Sequence, residues 1–277
     1  NQIMKNQLLQ LDMIAHNDWE RPIYFAITTG SGAYINLEEY FQLEGLAYRL
    51  VPIRNKDNDR YIGRVATDIM YDNMMNKFEW GNMGKEGVFL DYTNRRMTMN
   101  LRSNFGRLAN ALLDEGKKEK AEEVCDKCLE VIPDSKIPYD YFIIPVVRAY
   151  YRMGLEEKGE AIVQRLIEIS SHDLAYYQSM KRENKQKISR KIKEGIQTNA
   201  LVVQLLKRNN ANEELRKKAE ENYNGFNRMY LTYTKEGQKR YQQQMQRQRM
   251  QQQQQQQRQQ QQQKTERQIQ NLIQNQQ

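Results

Sequence analysis

Two cysteines, Cys125 and Cys128, stand at C-x-x-C spacing, the arrangement of redox dithiols and of half a zinc site. Zinc would need two further ligands, and the histidines, His16 and His172, lie far off in sequence. On a helix the same pair supplies small buried packing residues, and that is the reading adopted: Cys128 as a helix-contact position and Cys125 as its core neighbour. Carboxylates recur at short spacing as well. Asp68 and Asp72 share one helix face, and Asp57 and Asp59 share a loop, patterns that serve acid–base chemistry or calcium. The loop lacks the glycine and closing glutamate of a calcium loop, and the helical pair fits a cap followed by a solvated face. Thr29-Gly30-Ser31-Gly32 stands between two ordered runs, where phosphates bind. Ile35 occupies the place of a third glycine and no P-loop lysine follows, so the segment reads as a turn. No Ser, His and Asp set has nucleophile spacing. The sequence therefore assigns no catalytic residue, metal ligand or cofactor.

Aromatic residues gather in the first third of the chain with an arginine: Trp19, Arg21, Tyr24, Tyr40, Tyr48 and Trp80. Such groups stack on sugar rings or lie at a membrane interface; alternatively they fill a core with their polar tips satisfied. The binding candidates are Trp19, Arg21, Tyr24, Asp68, Asp72 and Trp80.

The elements that must position these residues follow from periodicity. Ile3, Leu8, Leu11 and Ile14 mark a short amphipathic helix. Ile23 to Thr28 reads as a buried strand, Leu37 to Tyr48 as a helix and Arg49 to Ile53 as a second strand, ended or made an edge by Pro52. Strand, helix and strand predict one βαβ unit with a right-handed crossover. Asp68 caps a helix through Met70 to Met75, Val88 to Leu90 forms a third strand, and Thr93 or Asn94 caps the long helix that follows. Phe105, Leu108 and Leu112 then form one apolar stripe, and Val124, Cys128 and Val131 another, with a turn at Gly116 and a stop at Pro133. A second helix pair carries Ile143, Val146, Val147 and Tyr150, turns at Gly154, and continues through Ile162, Val163, Leu166 and Ile169. The fold class is mainly α. A small α/β start spans 1–93, two helical hairpins 94–171, a helical cap 172–236, and a glutamine-rich basic tail 237–277, read as disordered or as a partner helix.

With 277 residues and 39% hydrophobic content the chain can bury a sizeable core. No apolar run approaches the roughly 20 residues of a membrane span. The chain starts at Asn1 without a signal segment and reads as a piece of a longer protein. Its net charge is +8, but from Gly237 onward seven Lys and Arg face one acid, so the preceding residues carry only +2. That distribution speaks against a nucleic-acid-binding fold.

Two resemblances add to this. Phe105, Leu108, Ala109, Gly116, Ala121, Cys128 and Pro133 follow one another as the signature positions of a tetratricopeptide repeat do, with Leu112 and Cys125 in place of its later aromatics. In the second pair Gly154 and Gly159 match Gly116 and Ala121, while Leu166 and Ser171 depart. At larger scale, NDWERPIYFAIT (17–28), YFQLEGLAYRLVPI (40–53), TDIMYDNMMNKFEWGN (67–82) and NRRMTMNLRSNFGRLANALLDEGKKEKA (94–121) resemble the protein O-mannosyltransferase-like, glycosyltransferase-C type membrane proteins of Gram-negative bacteria, a family of unknown function. The resemblance covers roughly Ile3 to Tyr177 and touches only the soluble region after that family's membrane half, where its catalytic acids lie. It implies a non-catalytic domain on the periplasmic side of the inner membrane. Such a domain would hold an acceptor protein or a partner beside the membrane half of a lipid-linked-sugar transferase. The alternative is a free-standing scaffold that binds proteins or peptides through its repeats, with no nucleic acid among its partners.

Overall fold

The structure, a computed structural model, describes residues 3–55 and 61–274, with side chains through residue 258. Asp57 and Asp59 lie outside the described residues. The fold is mainly helical with a small four-stranded sheet near its start. It divides into two compact units. The first takes the chain through residue 169 together with 201–218, and the second takes 170–200 together with the chain from 219 onward.

The first unit opens with helix α1 (Lys5–Asn17), which has no buried residue. Strands β1 (Tyr24–Ala26), β2 (Phe41–Leu43), β3 (Ala47–Leu50) and β4 (Arg64–Val65) then form a sheet of order β1-β3-β2-β4. The expected βαβ unit is not formed. β3 pairs antiparallel with both β1 and β2, and only the β2–β4 pair is parallel. The expected helix over 37–48 is instead one 3-10 turn at Glu38–Tyr40 followed by the β2–β3 hairpin. Gly45 explains the difference. It sits in the two-residue turn closed by the Glu44 N–H donating to the Ala47 carbonyl (3.1 Å), at φ +133°, where other residues are strained. A Cβ there would also lie 2.7 Å from the Phe78 ring. β3 ends before Pro52, at the centre of the sheet rather than at its edge.

Alternation along the strands gives the sheet two faces. Phe25, Phe41 and Tyr48, joined by Tyr34 from the turn after β1, pack on one side. The Phe25 and Phe41 ring centroids are 4.9 Å apart, and those of Phe41 and Tyr48 5.5 Å. The Thr29–Gly32 segment is a turn, and its Thr29 carbonyl accepts from the Tyr34 hydroxyl at 2.6 Å. No third strand forms at Val88–Leu90, where Phe89 is 82% exposed and has nothing to pack on.

Helix α2 (Thr67–Asp72) begins after Ala66, so Asp68 lies in its first turn instead of capping it. A π turn follows at Asn73–Lys77. Asp91, not Thr93 or Asn94, caps helix α3 (Tyr92–Met99), accepting from the Asn94 N–H at 2.8 Å. Helices α4 (Leu101–Asp114) and α5 (Lys118–Val131) form the first hairpin, turning at Gly116 (φ +76°). Phe105, Leu108, Ala109, Leu112, Ala121, Val124, Cys125 and Cys128 are fully buried, so both predicted stripes face the core. Helices α6 (Ile144–Met153) and α7 (Glu156–Ser179) form the second, turning at Gly154 (φ +75°). Pro133 closes the first hairpin soon after Val131, whereas Ser171 has an N–H to donate and α7 runs on to Ser179.

α4 is the helix that joins sheet and hairpins. Asn104 Nδ2 donates to the Gly45 carbonyl at 2.8 Å, and the Arg107 guanidinium donates to the Ile62 and Gly63 carbonyls, each at 2.9 Å. At the other end Arg102, fully buried, donates to the carbonyls of Ile132 and Pro138 (both 3.0 Å) and of Ile137. That guanidinium gathers the connection after α5 into one knot.

In the second unit, helix α8 (Arg182–Lys187), the start of helix α9 (Ser189–Arg208) and the body of helix α10 (Glu213–Tyr233) surround Ile192, Phe226, Met229 and Tyr230. Leu174, Tyr177 and Ile188 pack around them. Helix α11 (Lys235–Gln274) carries the glutamine-rich tail, and its side chains from Tyr241 to Arg258 are all exposed.

Candidate functional site

The polar face of the sheet is a row in strict register. Tyr24 of β1 pairs with Arg49 of β3, Arg49 with Gln42 of β2, and Gln42 with Arg64 of β4. Period-two alternation places these four on the side opposite Phe25, Tyr48 and Leu43. The buried Glu44 organises the row. Its carboxylate accepts from the Tyr24 hydroxyl and from Gln42 Nε2, both at 2.7 Å, with Arg49 at 3.7 Å. Arg64 donates through Nε (3.1 Å) and a terminal nitrogen (2.6 Å) to Gln42 Oε1. The hydrogen bond to Glu44 raises the Tyr24 hydroxyl above its ordinary pKa. Tyr24, Gln42 and Arg64 are thus engaged with one another or with Glu44, and what the face leaves open is the Tyr24 ring, 48% exposed, and the Arg49 side chain, 41% exposed.

A second feature lies where the β4 edge meets α4 and α6. A cleft of about 230 Å³ is lined by Tyr61, Arg107, Asn110, Asp114, Arg148 and Arg152, among others. Arg107 is 8% exposed and has no carboxylate partner among the described residues; besides the two carbonyls it donates to the Tyr48 hydroxyl at 3.3 Å and lies 5.1 Å from the Tyr61 ring centroid. Arg152 donates to Asp114 at 2.5 Å and to the Asn110 carbonyl and Oδ1 at 3.1 Å. Arg148, one turn before Arg152 on α6, is half-buried and makes no hydrogen bond or ion pair with any described residue. Among the described residues, three guanidinium groups therefore border the cleft against one carboxylate.

The residues singled out in the sequence stand apart from this cleft. Trp19 (53% exposed, φ +62°) and Arg21 lie in the exposed turn after α1. Trp80 packs against Phe105 with ring centroids 5.0 Å apart and donates to the Met74 carbonyl at 3.2 Å. Asp68 pairs with Lys117 at 2.9 Å, and Asp72 with Lys77 at 2.6 Å. Hydrogen bonds from Lys117, and from Asn76 and Lys77, hold these two carboxyls below the ordinary aspartate pKa. Neither carries a proton at neutral pH to donate. Among the described residues no hydrogen bond, ion pair or ring contact joins any two of the six. The cysteines are free core residues. Burial pushes the Cys128 thiol up to about 12 and Cys125 up as well. Among the described residues no cluster of His, Cys, Asp and Glu would hold a metal ion, and no helix is long and apolar enough to cross a membrane.

Sequence reasoning named only Tyr24 of the row and missed the cleft. Arg148 and Arg152, four apart on a helix of otherwise mostly buried residues, were the available signal for the cleft.

No curated protein and no solved structure matches the chain. Residues 1–69 match the model of one family, TMEM260-associated domain 2, a stretch that contains α1, the whole sheet with its polar row, and the first residues of α2.

Proposed function

We propose that this chain is a non-catalytic accessory domain of a membrane-embedded glycosyltransferase that uses a lipid-linked sugar, and that it holds the acceptor protein or a partner on the periplasmic side of a Gram-negative inner membrane. The observation that carries the reading is the match of residues 1–69 to a TMEM260-associated domain. It falls on the same segment as two of the four blocks that resemble the O-mannosyltransferase-like family. The hairpins α4–α5 and α6–α7 support it as tetratricopeptide-like units, since such units present surfaces to extended peptides. Under this reading Trp19, Arg21 and the open ring of Tyr24 are the exposed groups offered to the acceptor or its sugar.

The engaged donors around Glu44 and the low-pKa carboxylates Asp68 and Asp72 fit holding better than chemistry. The test has two parts. The purified chain, given lipid-linked sugar donors and hydroxyl-bearing acceptor peptides, transfers no sugar; transfer would overturn the reading. The reading frame upstream of Asn1 in the intact gene encodes a multi-span membrane half. A signal peptide and a short linker alone would replace this reading with that of a free-standing scaffold binding proteins through its hairpins.

A further inference from the structure

The arginine-lined cleft carries an inference that does not depend on the transferase reading. We propose that it is a binding site for a phosphate monoester group, seated among Arg107, Arg148 and Arg152. Four observations converge. The first is charge. Three guanidinium groups and the single carboxylate of Asp114 leave the lining at +2. A phosphate monoester carries about −1.5 to −2 at neutral pH and matches that excess; a single carboxylate does not.

The second is the state of the donors. Arg148 makes no hydrogen bond or ion pair with a described residue, and its planar fork presents donors in the geometry that oxyanions accept. The third is Arg107. It is buried, its bonds run to carbonyls and a hydroxyl, and no acid among the described residues pairs with it. A buried cation without a counter-charge is costly, and an anion in the adjoining cleft offsets that cost. The fourth is size. Pockets for drug-sized ligands run about 300–1,000 Å³. At about 230 Å³ this cleft suits a phosphate with a small appendage and not a dinucleotide.

Asp114 and Asn110 set the geometry. They hold Arg152 through its two terminal nitrogens and so fix one wall, while Arg148 stays uncommitted one turn earlier on the same helix. The phosphate has two possible sources, a soluble molecule or a lipid headgroup.

The test is run on the full chain. Its thermal midpoint is followed against inorganic phosphate and glycerol phosphate at constant ionic strength, with sodium chloride and sodium acetate as controls. Flotation with phosphatidic acid vesicles, against phosphatidylcholine vesicles, provides the lipid arm. The expected result is a saturable rise with phosphate, none with acetate or chloride, and about tenfold weaker binding in Arg148→Gln, the loss that follows from removing a hydrogen bond to a charged group. Saturation by soluble phosphates without flotation assigns a soluble ligand; flotation lost in the same variant assigns the headgroup. Because Arg148 makes no hydrogen bond or ion pair with a described residue, Arg148→Gln is expected to keep its fold, which circular dichroism checks. Arg152→Gln is the second variant, with weaker phosphate binding expected. No saturable response in either arm, an equal response to acetate, or unchanged phosphate binding in Arg148→Gln would overturn the assignment.

Discussion

Gly106 of α4 lies directly beneath Pro145 of α6, so close that a Cβ on Gly106 would sit 2.8 Å from the Pro145 carbonyl carbon and from the Val146 nitrogen. The two hairpins meet at this backbone-to-backbone contact, and no flexible side chain is available there to move aside. Ala109, one of the repeat-like signature positions, is buried one turn further along the same helix.

Gly106→Ala is therefore expected to destabilise the chain although alanine favours a helix by about 0.8–1.0 kcal/mol over glycine. Overpacking against backbone costs about 1–3 kcal/mol, so the net change is a loss of up to about 2 kcal/mol. Urea denaturation decides it. A midpoint at or above that of the parent would show that α6 moves aside without cost.

Arg102 yields a larger effect. Its guanidinium serves the carbonyls of Ile132, Ile137 and Pro138, and Arg102→Met leaves all three buried and unserved. A loss of about 3 kcal/mol or more is expected, since each carbonyl left buried without a donor costs about 1–3 kcal/mol. Arg102→Lys recovers part of it, because one ammonium lacks the fork. Equal stability of the Met and Lys variants would argue that the carbonyls find other donors.

Asp173 gives a pH signature. Burial raises its carboxyl above the ordinary aspartate value of 3.8. The ionised form is thus less favourable in the folded chain than in the unfolded one. Below the unfolded value both states are protonated and nothing is lost; as pH rises through the raised folded value the cost appears and then stays. Asp173→Asn is expected to raise the unfolding midpoint at pH 7, with the gain shrinking to nothing near pH 3. A pH-independent gain would point to a packing effect instead.

The cysteines provide a native-state probe. Burial pushes the Cys128 thiol up to about 12, so its reactive thiolate is scarce at pH 8, and the side chain is fully buried as well. Alkylation by iodoacetamide at pH 8 is expected to follow unfolding, accelerating steeply through the urea transition. Fast labelling of the folded chain would contradict the core placement of Cys125 and Cys128.

The tail prediction moves by a few residues. Gly237 is buried against Tyr230, and its N–H donates to Thr234 Oγ1 at 2.9 Å, so the stabilising part of α11 extends to about Arg240. A chain ending at residue 240 is expected to keep the parent unfolding midpoint within about 0.5 kcal/mol, the usual range for surface changes. Ending it at 233 removes the Lys193–Glu236 pair and the Gly237 contact, and lowers the midpoint.

The helices were legible because each buried stripe repeats at helical spacing within a short stretch, as Phe105, Leu108 and Leu112 do. The sheet was not. Leu37, Tyr40, Phe41, Leu43 and Ala47 satisfy a helical face as well as a hairpin, and the deciding signal was the single residue Gly45. What settles the hairpin physically is non-local: its turn carbonyl is held by Asn104, 59 positions away. The cleft was illegible for the same reason. Arg107 reaches Ile62 across 45 positions and Arg152 reaches Asn110 across 42, so no local spacing brings them together.

The shortness of the sheet's outer strands bears on how this chain can aggregate. β1 has three residues and β4 two, one of them Arg64. Edges so short offer too few free backbone groups to recruit a strand from another molecule. The glutamine-rich stretch of α11 has the opposite character, because glutamine side chains ladder readily once extended. A fibre of this chain is therefore expected to nucleate from tail meeting tail, with its onset set by the stability of one exposed helix, and a chain ending at residue 240 is expected to lose it.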